Sequence, residues 1–255
     1  MPAHLTDPGG PAAPAAQGGR CALVFGGTGA VGEEVLRGLA RAGVPTVFTY
    51  HRSQERAAAL SRELGQRAVR LDLRERAVVR ELLREVTVTG PAGAVAPTVL
   101  IHCAAISRPA PLAAASDEDW DDSMAVSGRA AFLACQELAP RMKAGGDVVL
   151  LGALDRSQSL PLPVPFAAAQ GMLAALVMAL AKELGPAGIR VNLLALGVLT
   201  SGLSQQLSPR HLEEYERFSA LRRAGTPTEA ARAALWLALA NTYMTGKVLS
   251  VNGGI

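Results

Sequence analysis

Three glycines spaced by threes, Gly26, Gly29 and Gly32, close the stretch Ala22–Gly32, after a short apolar run and ahead of a helical pattern starting at Glu33. A buried strand, a tight turn and a helix start in that order bring backbone N–H groups and a helix N-terminus under a pyrophosphate. The glycines supply the tight turn, the close backbone approach and the close helix–strand packing. The residues set against the ligand are Gly26, Thr28, Gly29, Ala30, Val31 and Gly32. An ordinary structural turn is the alternative, and the strand before and helix after favour the nucleotide. A second chemical signal sits at the end of the next apolar run, Pro45–Tyr50, where His51-Arg52-Ser53 follows. A carboxylate there would accept from the ribose 2′-hydroxyl of NAD. An arginine instead suits a 2′-phosphate, because its planar fork matches phosphate oxygens. Read this way the cofactor is NADP(H); an exposed arginine at a strand end is the plain alternative.

The elements that must position these residues alternate strand and helix patterns, which argues for a parallel sheet covered on both faces. Strands are expected at residues 22–25, 45–50, 67–73, 98–103, 147–151, 189–195 and 248–251, about seven in one domain. Helices are expected after Gly32, at 54–64 and 74–86, from 116 to about 139, and at 166–184 and 228–239, with a polar helical insert near 201–218. Residues 87–97 read as a Gly/Pro loop. Ser116 followed by Asp117, Glu118 and Asp119 is a helix start with acids in the first turn. The 166–184 helix is apolar on nearly every face, so burial all round is expected, with a partner subunit covering what one chain leaves open.

Bulk properties narrow the classes. The chain has 255 residues, 49% of them hydrophobic and 18% charged, enough for a substantial core. Residues 1–19 are rich in Pro, Ala and Gly and read as a disordered tail; without a basic start and an apolar stretch they do not resemble a signal peptide. The longest uninterrupted apolar run, Gly171–Ala181, is too short to span a bilayer, so no membrane role and a soluble, cytoplasmic protein are expected. Net charge is +3, and only Lys143, Lys182 and Lys247 among its 25 basic residues are lysines. No basic block with interleaved aromatics appears, which argues against nucleic acid. Cys21, Cys103 and Cys135 are isolated thiols without metal spacing and read as reduced core cysteines, with no metal site.

Taken together the residues resemble the short-chain dehydrogenase/reductase family, in particular its 3-oxoacyl-carrier-protein reductases. The resemblance runs from about Arg20 to the C-terminus and is carried by Tyr50-His51-Arg52-Ser53, Leu71-Asp72-Leu73, Ile106-Ser107-Arg108, Asp119-Trp120-Asp121, Gly188-Ile189-Arg190-Val191-Asn192, Arg223-Ala224-Gly225-Thr226-Pro227, Thr245-Gly246-Lys247-Val248 and Val251-Asn252-Gly253-Gly254. It implies a doubly wound, parallel seven-stranded α/β sheet of Rossmann type in a single domain over residues 20–255, with a lid near 201–218. Asp72 and Leu73 would then lie by the adenine, and Cys103, Ala104 and Ala105 along the cofactor ribose. Leu199 and Ser201 would lie near the nicotinamide, and His51, Arg52, Ser53 and Gln170 would complete the cofactor set. His102-Cys103-Ala104-Ala105 stands where the family usually has Asn-Asn-Ala-Gly, and Leu196-Gly197 where it has Pro-Gly.

The chain departs from the family at its catalyst. The family's Asn, Ser, Tyr and Lys fall on Ser127, Ala153, Phe166 and Gln170, and no Tyr-x-x-x-Lys occurs anywhere. Spacing by four puts phenol and ammonium on one helix face, where the charge lowers the tyrosine pKa. Phe166 has no proton to give and Gln170 no charge. Asp155, Arg156, Ser157 and Ser159 flank the lost serine and read first as solvated loop residues, while His102 reads as a hydrogen-bonded structural histidine and Ser127 as a residue able to hold a water. The resemblance implies a small-molecule or carrier-bound carbonyl substrate. The apolar 166–184 helix points to a homo-oligomer, dimer or tetramer, with a paralogue as another partner for the same face. The expected function is an NADP(H)-binding ketoreductase that relies on its substrate for the proton. The alternatives are a redox-inactive subunit beside an active paralogue, or a cyclase or dehydratase reusing the cleft.

Overall fold

The computed structural model describes residues 19–89, 96–142, 145–153 and 160–255. The expected tail, but for Gly19, and Asp155, Arg156, Ser157 and Ser159 lie outside the described residues. Seven strands form one parallel sheet: β1 (Ala22–Phe25), β2 (Thr46–Tyr50), β3 (Arg67–Arg70), β4 (Val99–His102), β5 (Gly146–Gly152), β6 (Ile189–Leu196) and β7 (Val248–Val251). Their spatial order is β3-β2-β1-β4-β5-β6-β7. The order reverses between β1 and β4, and in such sheets ligands bind in the crevice beyond the strand C-termini at that switch point.

Alternate residues along the strands feed two cores, as a sheet buried on both faces requires. Leu23, Phe25, Leu100, Val148 and Leu150 face α3 (Arg76–Thr89), α5 (Ala130–Leu138) and α6 (Val164–Leu184). Ala22, Val24, Val99, Ile101 and Val149 face α1 (Ala30–Arg41), α2 (Gln54–Leu64) and α8 (Pro227–Leu239). The helix expected from residue 116 is α4 (Asp117–Met124), begun by a capping box in which Ser116 and Asp119 satisfy each other's backbone N–H. It runs into a π-helical turn at Ala125–Arg129 before α5, a break the sequence did not signal. The insert comprises a short 3₁₀ turn at Gly202–Gln206 and α7 (Pro209–Phe218).

On α6, Phe166, Ala169, Gln170, Leu173, Val177 and Ala181 face inward, while Gly171, Ala175, Met178 and Ala179 are exposed, on the side that the sequence leaves to a partner subunit. The helix is also 21 residues long and apolar enough, by length and composition, to cross a membrane, although its longest uninterrupted run is short. Its inner face packs on β6, on α4 and on the π turn. The third strand is shorter than expected, because Leu71-Asp72-Leu73 leaves the sheet to line the crevice.

Candidate active site

The glycine turn has the geometry its spacing predicts. Gly26 takes φ +77°, a left-handed conformation costly for any residue with a Cβ, and an added Cβ would sit 2.9 Å from the Ala104 backbone. At Gly32 a Cβ would lie 2.2 Å from Gly26 O, so the helix packs on the turn only because the side chain is absent. Gly29 is the N-cap of α1, with extended backbone and no side chain capping the helix, and a Cβ there would meet only Gly26 O at 3.3 Å. Its outer side is therefore open, and the helix N-terminus offers uncapped donors to an anion. The residues fit a dinucleotide pyrophosphate.

A cavity of about 980 Å³ runs from this turn along the strand C-termini. It brings together Gly26, Thr28, Gly29, Ala30, Val31, Gly32, His51, Arg52, Asp72, Leu73, Cys103, Ala104, Ala105, Ala153, Phe166, Gln170, Leu199 and Ser201. Ser53 lies just outside, in a shallow groove with Arg52 at the start of α2, and Ser127 is buried beneath the cavity floor. Arg52 is exposed, and none of the ion pairs among the described residues engages it. The carboxylate of Asp72, by contrast, is already held: Arg74 donates to it at 2.7 Å and His51 Nε2 stands 3.3 Å away. The Arg74 guanidinium is the main cause that holds the Asp72 carboxyl down at about 2.

Sequence reasoning missed the frame behind this end of the cavity. Arg74 also reaches Asp122 at 3.2 Å, and Arg108 bridges Asp119 at 3.0 Å and Asp122 at 2.6 Å. This network ties the β3 exit, the loop after β4 and α4 into one unit. It links residues up to 48 apart, a separation no local pattern reveals. At the other end, Tyr215 of α7 is 3% exposed and donates to Asn252 O at 2.6 Å. A Cβ at Gly197 would strike the Tyr215 hydroxyl at 1.9 Å, so the glycine makes room for that latch. The Arg223–Pro227 motif also has a visible job: Gly225 bonds Val198 and Thr200, fixing the β6 exit against α8.

Three of the four positions that the resemblance sets against the family's catalyst, Ser127, Ala153 and Gln170, form with His102 a neutral, hydrogen-bonded braid. Gln170 Oε1 accepts from the Ala153 N–H at 3.1 Å, and Gln170 Nε2 donates to Ser127 Oγ at 3.4 Å. His102 Nε2 donates to Ser127 O at 2.9 Å and Val126 O at 3.0 Å, carbonyls of the π turn, where the widened helix leaves oxygens to accept. Gln170, Ser127 and His102 are each 1% exposed or less. Phe166 packs at the cavity wall, 6% exposed. Cys103, which also lines the cavity, is pushed up to about 12 by burial and stays a thiol.

The histidine gives a pH signature. Burial lowers its pKa to about 4, opposed by the bonds to the Ser127 and Val126 carbonyls, and Nδ1 has no hydrogen-bond partner among the described residues. In the unfolded chain an imidazole titrates near 6.5, so the unfolded state binds the proton first. Stability should therefore fall as pH drops from about 6.5 towards 4, by up to about 1.4 kcal/mol per unit. Urea unfolding of the protein and of His102→Gln at pH 7 and pH 5 checks this. The wild-type loss should exceed the variant's by about 1–2 kcal/mol; equal losses would mean that His102 does not carry the effect.

This geometry agrees with the comparisons to known proteins. A family profile described as enoyl-(acyl carrier protein) reductase matches residues 27–255. The chain is 30% identical over 244 residues to galactitol 2-dehydrogenase (L-tagatose-forming) of Cereibacter sphaeroides, covering 92% of this chain and 94% of that one. It is 26% identical over 244 residues to the 3-oxoacyl-[acyl-carrier-protein] reductase of Staphylococcus epidermidis, covering 92% and 98%. Among solved structures, a blue fluorescent protein from a metagenomic library, in complex with NADPH, superposes with a TM-score of 0.83 at 28% identity, covering 92% and 97%. The chain belongs to the short-chain dehydrogenase/reductase family of oxidoreductases.

Proposed function

We propose that this protein is an atypical NADP(H)-binding ketoreductase acting on an acyl, polyketide or aromatic carbonyl without the usual Ser-Tyr-Lys catalyst. The observation that carries the reading is one cavity lined by an intact glycine cradle and an unpaired Arg52 at one end, and by Ala153, Phe166 and Gln170 at the other. NADPH supplies a hydride when bound. The α1 N-terminus and the glycine turn hold the pyrophosphate, Arg52 and Ser53 hold the 2′-phosphate, and Asp72 and Leu73 flank the adenine. Cys103, Ala104 and Ala105 follow the ribose, with Gln170, Leu199 and Ser201 around the nicotinamide. Complexes of relatives with NADPH support the same choice of cofactor.

The chain's own residues orient the acceptor and exclude water but bring no acid to its oxygen. A positioned general acid is worth about 10²–10⁴ in rate, while holding the reactants in contact is worth effective molarities of about 10⁵ M or more. Positioning alone thus sustains reduction of a carbonyl whose own neighbouring phenol gives the proton, or of a strongly activated one. The insert at 201–218 lids this end, latched through Tyr215. NADPH oxidation is expected with ortho-hydroxyaryl ketones and to be at least about 10²-fold slower with their methyl ethers. Equal rates for both would contradict substrate-assisted protonation.

A second reading, a redox-inactive subunit of a larger assembly, is favoured by the outward faces of the helices beside the site. Phe132 is 44% and Met178 55% exposed, and with Gly171 and Ala175 they offer an apolar face suited to a second copy, in a dimer or tetramer, or to a paralogue. Co-purification with an active paralogue, and activity found only in the mixed oligomer, would favour it over the first reading.

A further inference from the structure

We infer that the end of the cavity away from Arg52 binds a neutral, predominantly apolar molecule, free of carboxylate and phosphate, by shape rather than by charge. The inference rests on the same cleft as the proposed ketoreductase and narrows its ligand. Two observations carry it. Every charged side chain among the described lining residues, Arg52, Asp72 and Arg74, lies at the β2–β3 end, and His51 is there too. Between the C-termini of β5 and β6 and the insert, His211 is the sole ionisable side chain among the described lining residues besides the latched Tyr215 and the neutral Cys103 thiol.

The second observation is the wall itself. Leu160, Val198 and Tyr215 form a small apolar cluster separate from both faces of the sheet, with Leu207 and Ile255 packed against it. Of the large apolar residues left exposed, Leu112 (70%), Val164 (44%) and Leu203 (42%) all ring this mouth. An apolar rim of this kind is stabilised by whatever removes it from water, and an apolar ligand does so. A carboxylate or phosphate placed here would lose its hydration with no described cation to replace it, which is costly. A polyol would lose hydrogen bonds that this wall does not return. The relative that acts on galactitol therefore differs from this chain in what its cleft must hold.

The test uses a matched pair of probes on the full-length protein saturated with NADP⁺, saturation being verified by calorimetry in the same sample. N-phenyl-1-naphthylamine is neutral, and 1-anilinonaphthalene-8-sulfonate has the same ring framework with an added sulfonate. The neutral probe should bind at least tenfold more tightly. Its affinity should fall about tenfold in Leu112→Asp and in Leu203→Asp, both rim positions exposed enough for the fold to tolerate the change. Binding of the sulfonate as tight as or tighter than that of the neutral probe would overturn the inference. So would neutral binding that neither variant weakens, or no neutral binding at NADP⁺ saturation. Failure of NADP⁺ to bind would instead sink the cofactor reading, and the probes are then compared on the protein alone, where the same orders of affinity decide.

Discussion

Installing Ala153→Ser, Phe166→Tyr and Gln170→Lys together should raise NADPH-dependent reduction of a simple aromatic ketone by about 10²–10⁴ or more. Register supports placing them so. Ala153 follows the last residue of β5, and Phe166 and Gln170 lie four apart on the inner face of α6, with Gln170 already within hydrogen-bond distance of the Ala153 backbone. A tyrosine at 166 would restore a general acid worth about 10²–10⁴. A serine at 153 would restore an oxyanion donor worth about 10²–10³. The two effects will not multiply, because such groups act as a unit. Gln170→Lys alone should lower stability, since it places an ammonium where the native side chain is 1% exposed and breaks the neutral braid to Ser127 and Ala153. A triple variant that binds NADPH yet gains no activity would mean that the substrate end, and not only the catalyst, has diverged.

Arg52→Ala should weaken NADPH about 10–100-fold while leaving NADH within about twofold. The arginine is exposed, unpaired among the described ion pairs, and next to the start of α2, whose N-cap Ser53 makes no capping bond. A hydrogen bond to a charged group contributes about 1.5–3 kcal/mol, and the helix N-terminus adds its own attraction for an anion. The affinity ratio between the two cofactors isolates the 2′-phosphate, because all else in them is shared. Equal weakening of both would show that Arg52 supports the loop rather than reading the phosphate.

Much of this architecture is legible in the sequence. Apolar runs ending in glycine or a polar turn mark all seven strands, and the 54–64 helix and the 248–251 strand have the bounds that their patterns predict. The glycine cradle is legible because its constraint is local: a left-handed φ at Gly26 and van der Waals contact at Gly32 admit nothing larger. What escaped has distant causes. The π turn at Ala125–Arg129 is held by His102 from another strand, and periodicity alone reads that segment as plain helix. The Asp72–Arg74–Asp122–Arg108 frame and the Tyr215–Asn252 latch join residues that only the fold brings together. On the outer face of α6 an apolar residue carries no mark saying whether its own chain or a second one will cover it.

The central claim is that this chain keeps a dinucleotide cradle set for NADP(H) while lacking the residues that usually direct the hydride. Titration of the purified protein with NADPH and with NADH, followed by calorimetry and by nicotinamide fluorescence, tests it most directly. One NADPH per chain, bound at least tenfold more tightly than NADH and stable without oxidation in the presence of a simple ketone, is the predicted result. No NADPH binding, or binding accompanied by rapid turnover of that ketone, would contradict it.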